Sequence, residues 1–168
     1  MLERLWAPWR SRYVSEIHAT VSEEGEGTLF ERILASEASD EETGILWRGE
    51  TCFAVLNAYP YGSGHLMVAP NRAVADLADL TDAESDELWA AVRAAVAAIQ
   101  EAYDPEGVNV GLNLGAAGGA GVPDHLHVHC LPRWRGDTNF MTTVAEARVL
   151  PEPLAESWSK LRNAWEAR

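Results

Sequence analysis

The segment PDHLHVHCLPRW at residues 123–134 constrains the fold of this chain more than any other part of the sequence. Three of the five histidines, His125, His127 and His129, stand at alternate positions here, and the residues between them are apolar. Successive side chains of a β-strand point to opposite faces of its sheet. The pattern therefore predicts a strand that turns three imidazoles to one face and an apolar row to a core on the other.

The rest of the chain is predicted to form further strands and helices. Two capping boxes, in which Thr28 is followed by Glu31 and Thr81 by Glu84, predict a short helix and a long one. Short runs of β-branched and aromatic residues, bounded by Gly and polar residues, predict more strands at residues 44–49, 51–57, 65–70 and 107–114.

Two of the predicted helices carry apolar stripes. The expected buried face of the long helix consists of Leu88, Trp89, Val92, Ala95, Val96, Ile99 and Tyr103. A C-terminal helix would pack through Leu154, Trp158, Leu161 and Trp165. Because helices come between groups of strands, we expect an α+β fold with a mostly antiparallel sheet, one long helix and one or two shorter ones. A length of 168 residues predicts one domain, 1–168, with core motifs at about 45–140 and an extension at each end.

The charge and the cysteines restrict the partners and the location. A net charge of −13 repels nucleic acid and anionic membranes, so we expect neither as a partner, although a local pocket can still bind a small anion. No leader or membrane-spanning run is evident in the sequence, which predicts a cytoplasmic protein. Cys52 and Cys130 form no CxxC pair and lie in apolar runs, so buried free thiols are expected.

Three interpretations of the alternating histidines compete: a polar strand, a zinc site and nucleophilic catalysis. The loop LGAAGGAGVP at residues 114–123 precedes them directly. Clustered backbone N–H groups at glycines, here Gly119 and Gly121, can bind phosphate without any positive charge. The loop therefore favours catalysis on a phosphorylated substrate.

The chain resembles the histidine triad superfamily of nucleotide hydrolases and transferases. HLHVHCL at residues 125–131 fits its motif of three histidines spaced by apolar residues, and FAVLNAYPYGSGHLMVAP at 53–70 resembles its nucleoside-binding block. The opening LWAPWR and the block GLNLG are similar to a bacterial branch described as diadenosine tetraphosphate phosphorylases. The resemblance implies the fold of that superfamily.

The resemblance also implies a role for four histidines. His127 would be the nucleophile that attacks the α-phosphorus and forms a nucleotidyl-histidine intermediate, a task that a neutral imidazole can perform. His129 would contact the leaving phosphate and supply a proton. His125 would orient its neighbours by hydrogen bonding, and His65 matches the fourth histidine of the family.

Further positions match the nucleotide-binding residues of the family. Asn57 would bind the ribose hydroxyls, and Asn113 would contact phosphate or cap the turn before the glycine loop. Phe53 and Leu56 would line the base pocket or pack in the core. Three residues after the triad would reach phosphates beyond the α position or a second nucleoside: Arg133, Trp134 and Asn139.

The chain departs from the family pattern in two places. Many bacterial members carry a CxxC pair that helps to bind a structural zinc, but Thr28 and Glu31 stand there, and NRAV replaces the additional histidine after the third strand. We therefore predict no metal and no other cofactor. Where many members place Gln, Ser or Thr before the triad this chain has Gly121, which leaves the choice between phosphate and water as acceptor open.

The predicted activity is cleavage of a dinucleoside polyphosphate, such as diadenosine tetraphosphate, by a homodimer. Inorganic phosphate or water would discharge the intermediate. The alternatives are a nucleoside phosphoramidate hydrolase, which the same residues would serve, and a nucleotide-binding regulatory module with little turnover. A metalloenzyme is a third alternative.

Overall fold

The structure is a computed structural model that describes residues 26–137 and 152–167. The helices are α1 (Leu29–Ala35), α2 (Asp40–Thr43), α3 (Asp82–Tyr103) and α4 (Leu154–Glu166). The strands are β1 (Ile45–Arg48), β2 (Cys52–Leu56), β3 (Leu66–Pro70), β4 (Gly107–Leu112) and β5 (Val128–Arg133). Short 3-10 turns cover Leu77–Asp79 and Ala116–Gly118.

The five strands form one antiparallel sheet in the order β1-β2-β3-β5-β4. This confirms the predicted α+β class with its antiparallel sheet. The sheet places β5 between β3 and β4, so that His129 lies opposite Met67 on one side and Gly111 on the other. The expectation of a single domain over 1–168 stays a prediction, because both extensions reach outside the described residues.

Both predicted capping boxes are present at the helix starts. The Thr28 and Thr81 hydroxyls accept the N–H groups of Glu31 and Glu84, and each glutamate carboxylate accepts the N–H of its threonine. These bonds satisfy backbone donors that a helix start leaves free, which explains why α1 and α3 begin where the sequence indicates.

The helix α3 buries Leu88, Val92, Ala95 and Ile99 against the sheet. Trp89 was predicted on this face, and that prediction was wrong, since its side chain is 43% exposed. Each residue turns the helix by about 100°, and residue 89 already lies beyond the stripe that meets the sheet. For a large apolar residue at the edge of a helix stripe, the sequence alone does not show whether the side chain is buried or exposed.

The sheet separates two apolar clusters. One contains α3 and α4, with Leu154 and Leu161 buried, and includes Cys52 and Cys130. Both thiols are free, and burial raises their pKa to about 11 and about 12, which keeps them protonated and confirms the expected buried thiols. The cluster on the other face packs under α1 and consists of Phe30, Ile33, Ile45, Phe53, Val55, Met67 and Ala69. Among the described residues, no helix combines the length and the apolar character needed to cross a membrane.

Candidate active site

The three alternating histidines lie on the α1 face of the sheet, at the start of β5. The strand begins at Val128, so the prediction that it starts at His125 was wrong by three residues. The preceding residues pair with the segment after β3 instead, since the Leu126 N–H donates to Val74 O at 2.7 Å. The extended backbone keeps the alternation, and Leu126 packs in the opposite cluster.

His127 is held in one tautomer by a backbone carbonyl. Its Nδ1 lies 2.9 Å from His125 O, and a carbonyl only accepts, so Nδ1 carries the proton. The lone pair is then on Nε2. Burial lowers the pKa of His127, which keeps the ring neutral and nucleophilic.

His129 has its proton on the opposite nitrogen, as a result of a chain of bonds through His65. The Tyr61 N–H donates to His65 Nδ1 at 3.0 Å, so His65 Nε2–H must donate to His129 Nδ1, also at 3.0 Å. His129 therefore presents Nε2–H. Burial and, secondly, repulsion from the positive charge that His127 carries when protonated lower the pKa of His129 to about 4. The rings of His127 and His129 are 4.8 Å apart between centroids, which places a nucleophile beside a proton-carrying nitrogen.

His125 is fully buried, and hydrogen bonds hold both nitrogens of its ring. Its Nε2–H donates to Pro70 O at 2.8 Å, and its Nδ1 lies 2.7 Å from Thr28 Oγ1. The Phe30 ring lies 5.1 Å from both His125 and His127. The sequence indicated Thr28 as a helix cap and as a departure from the CxxC pair, but it indicated neither its bond to His125 nor the role of Phe30, because no linear pattern joins residues 97 positions apart.

The turn between β2 and β3 completes the environment of His65. Asn57 Oδ1 accepts the Tyr59 N–H at 2.8 Å, and Asn57 Nδ2 lies 3.3 Å from His65 Nδ1. The Tyr61 ring is 4.5 Å from that of His65 and 45% exposed, so it forms an aromatic surface at the site that sequence analysis did not single out. The ribose contact of Asn57 stays a prediction.

The glycine-rich loop is bonded mainly to itself. The N–H groups of Gly118, Gly119 and Ala120 donate to carbonyls of Gly115 and Ala116 at 3.1 to 3.2 Å. A phosphate at Gly119 would therefore compete with a bond inside the loop. The phosphate contacts of this loop stay predictions.

Two further glycines have open space around them among the described residues, and Asn113 bonds to the glycine-rich loop. Among the described residues, a Cβ built on Gly111 or Gly121 would meet no atom within 4 Å. Gly111 lies opposite His129 in the sheet, so no side chain of the described residues fills the position next to this imidazole on β4. Asn113 Nδ2 donates to Gly119 O at 3.5 Å, the turn-capping role that the sequence left as an alternative.

Phe53 and Leu56 lie on opposite faces of β2. Phe53 is fully buried in the α1 cluster, whereas Leu56 packs in the α3 cluster, away from the histidines. They therefore cannot share one wall of a pocket, and their burial fits the alternative that both pack in the core. The base-pocket role of each residue stays a prediction. Side chains alternate between the two faces of a strand, so residues three positions apart lie on opposite faces.

The predicted residues after the triad lie on β5 or beyond it. Arg133 donates to both carboxylate oxygens of Asp137 at 2.6 and 2.7 Å and to Asn109 Oδ1 at 2.7 Å. Trp134 packs edge-on against Tyr103, with 6.2 Å between ring centroids. A phosphate at Arg133 would have to share the guanidinium with Asp137. Asn139 and the opening LWAPWR lie outside the described residues.

Comparisons with known proteins point to one family. A family model described as "HIT domain" matches residues 39–136. A Mycobacterium tuberculosis protein named AP-4-A phosphorylase is 43% identical over 98% of this chain and 85% of its own length. A Schizosaccharomyces pombe protein named asymmetrical bis(5'-nucleosyl)-tetraphosphatase is 36% identical over 55% of this chain and 50% of its own length. A zinc-bound histidine triad family protein from Mycobacterium smegmatis superposes with a TM-score of 0.67 at 26% identity, covering 83% of this chain and 94% of that chain.

Proposed function

Because this chain belongs to the HIT domain family, we propose that it cleaves dinucleoside polyphosphates such as diadenosine tetraphosphate, with inorganic phosphate as the acceptor. The observation that carries the proposal is the pair of opposite tautomers, with a bare Nε2 on His127 beside an Nε2–H on His129. The relatives named for this chemistry support the choice of substrate.

In the first step His127 Nε2 attacks the α-phosphorus, the N–P bond forms, and the P–O bond to the remaining ATP breaks. Positive charge develops on the His127 ring and strengthens the bond from Nδ1–H to His125 O. His129 donates from Nε2 to the departing oxygen. Although burial lowers the pKa of His129 to about 4 in the free site, the negative charge of a bound polyphosphate acts in the opposite direction and favours protonation.

In the second step an oxygen of inorganic phosphate gives its proton to His129 and attacks the phosphorus, the N–P bond breaks, and ADP is released with a neutral His127. Water in the same place would release AMP. Gly121 offers no side chain to select the acceptor, so the selection falls to backbone groups and to the open space beside His129. Phosphate is preferred here because relatives that align with 98% of the chain are named AP-4-A phosphorylase.

Product analysis with diadenosine tetraphosphate and radiolabelled phosphate tests this proposal. The expected products are ATP and ADP in equal amounts, with the label in the β-phosphate of ADP and no turnover without phosphate. AMP and ATP formed regardless of phosphate would mean that water is the acceptor. If neither pair appears, the dinucleoside substrate is wrong, and nucleoside phosphoramidates become the substrates to assay.

We further propose that the enzyme acts in the cytoplasm as a homodimer. The family resemblance implies the dimer, and the edge strand β4 supports it, since its residues are exposed or half-buried and Val110 is 44% exposed. An open edge strand presents free backbone groups to a second chain. Sedimentation at micromolar concentration should give twice the chain mass of 18.4 kDa. A single species at the monomer mass would contradict this assembly.

A further inference from the structure

The capping box of α1 makes contacts far beyond its own helix. Thr28 Oγ1 lies 2.7 Å from His125 Nδ1, and Glu31 Oε1 accepts the N–H of Ala73 at 3.1 Å, across 42 residues. The capping box of α3 has the same local bonds, and its Glu84 carboxylate pairs with Arg72 rather than with a histidine. The start of α1 therefore also connects three separate segments of the chain: the capping box itself, the segment at Ala73 and the triad at His125.

The single hydroxyl proton of Thr28 has two acceptors within reach. His125 Nδ1 is at 2.7 Å and Glu31 Oε2 at 3.1 Å. Because the Nε2–H of His125 donates to Pro70 O, the neutral ring has its lone pair on Nδ1, and the shorter contact is the bond that the hydroxyl donates. If the Thr28 hydroxyl were removed, Nδ1 of the fully buried His125 ring would lose its hydrogen-bond donor. An acceptor without a donor is costly in a protein interior.

Glu31 fixes the position of Thr28, the donor of the bond to His125. Its carboxylate accepts the Thr28 N–H at 2.8 Å as well as the Ala73 N–H, and Ala73 lies between the two carbonyls, Pro70 O and Val74 O, that hold His125 and Leu126. One carboxylate thus sets α1 at a fixed distance from the segment against which the triad residues are paired.

We propose that Thr28 and Glu31 are positioning residues for the nucleophile, and that their hydrogen-bonded cluster with His125 replaces a structural zinc in this chain. The effect passes through His125, whose ring is held by Thr28 and whose carbonyl holds Nδ1–H of His127. Among the described residues, no group of three or more His, Cys, Asp or Glu side chains is placed to hold a metal. The effect on turnover rests on the proposed function, whereas the effect on the His127 tautomer does not.

The test compares Thr28→Val with Thr81→Val, which removes the equivalent capping hydroxyl from α3 at a distance from the histidines. Thr28→Val is expected to lower kcat about ten-fold with little change in KM, because small displacements of a reacting group are costly. Thr28→Ser keeps the hydroxyl and should have a kcat close to that of the wild type. Thr81→Val should leave kcat unchanged. Glu31→Gln keeps an acceptor for the cap but turns donors toward the Ala73 N–H, so a smaller fall in kcat is expected.

Nuclear magnetic resonance of protein with isotope-labelled histidine gives a reading that needs no turnover. We expect His127 to be protonated at Nδ1 alone in the wild type and in Thr81→Val, and to populate both tautomers in Thr28→Val. An unchanged His127 tautomer, or equal kcat values for the two valine variants, would overturn the positioning role. If Thr28→Val fails to fold, the His127 tautomer and kcat are measured for Glu31→Gln instead, and the same two outcomes would overturn the positioning role. Stoichiometric zinc in the purified full-length protein would overturn the replacement of the metal.

Discussion

Replacing His127 with alanine is expected to lower kcat on diadenosine tetraphosphate by roughly a thousand-fold or more, because loss of the proposed covalent nucleophile removes the reaction path itself. The His127 ring is the one whose Nε2 is left bare by the bond from Nδ1–H to His125 O. Nucleotide affinity should change only a few-fold, since binding contacts elsewhere in the site remain. The measurement is steady-state turnover together with the equilibrium affinity for a non-hydrolysable dinucleoside polyphosphate.

Mass spectrometry of protein quenched during turnover provides the control for this variant. The wild type should carry one covalently bound AMP, and His127→Ala should carry none. An adenylylated His127→Ala protein, or turnover above about a tenth of the wild-type rate, would show that another residue is the nucleophile. A melting temperature close to that of the wild type would exclude unfolding as the cause of the loss.

Replacing Phe53 with alanine is expected to lower the free energy of unfolding by about 3–5 kcal/mol, the usual cost of truncating a buried phenylalanine. Its side chain is fully buried and meets Phe30 edge-on, with 6.0 Å between ring centroids. Phe30 in turn packs on His125 and His127, so the cavity would also loosen the site. Urea unfolding measures the loss.

Trp89→Ala is the matched control for Phe53→Ala, because it also truncates an aromatic residue but one that is 43% exposed. A change of less than about 1 kcal/mol is expected there. If Phe53→Ala were equally mild and instead weakened nucleotide binding selectively, Phe53 would line the base pocket after all, as the sequence had allowed.

Much of the site could be predicted from local patterns in the sequence. The alternation at residues 125–131 indicated which side chains share a face, because the period of an extended chain is a local property. His65 was indicated by the family resemblance of the block at residues 53–70. The capping boxes at Thr28 and Thr81 placed two helix starts correctly for the same reason. Free buried thiols at Cys52 and Cys130 followed from their apolar neighbours.

Other features depend on contacts between distant segments. The tautomers of His127 and His129 are set by His125 O and by His65, and the second of these bonds joins residues 64 positions apart. The bond from Arg133 to Asn109 likewise appears only when β4 is placed beside β5. A residue's preference for strand or loop carries no information about which carbonyl will face it.

The sequence by itself therefore determined the class of fold, through the order of its helices and strands, and the face that the three triad histidines share, through their spacing along the strand. Only the tertiary structure decided which nitrogen of each imidazole carries its proton, and that a helix cap at Thr28 supports the triad from 97 residues away. The physical reason is that a proton's position depends on the partner opposite each nitrogen. The strand order β3-β5-β4 and the packing of α1 bring those partners together.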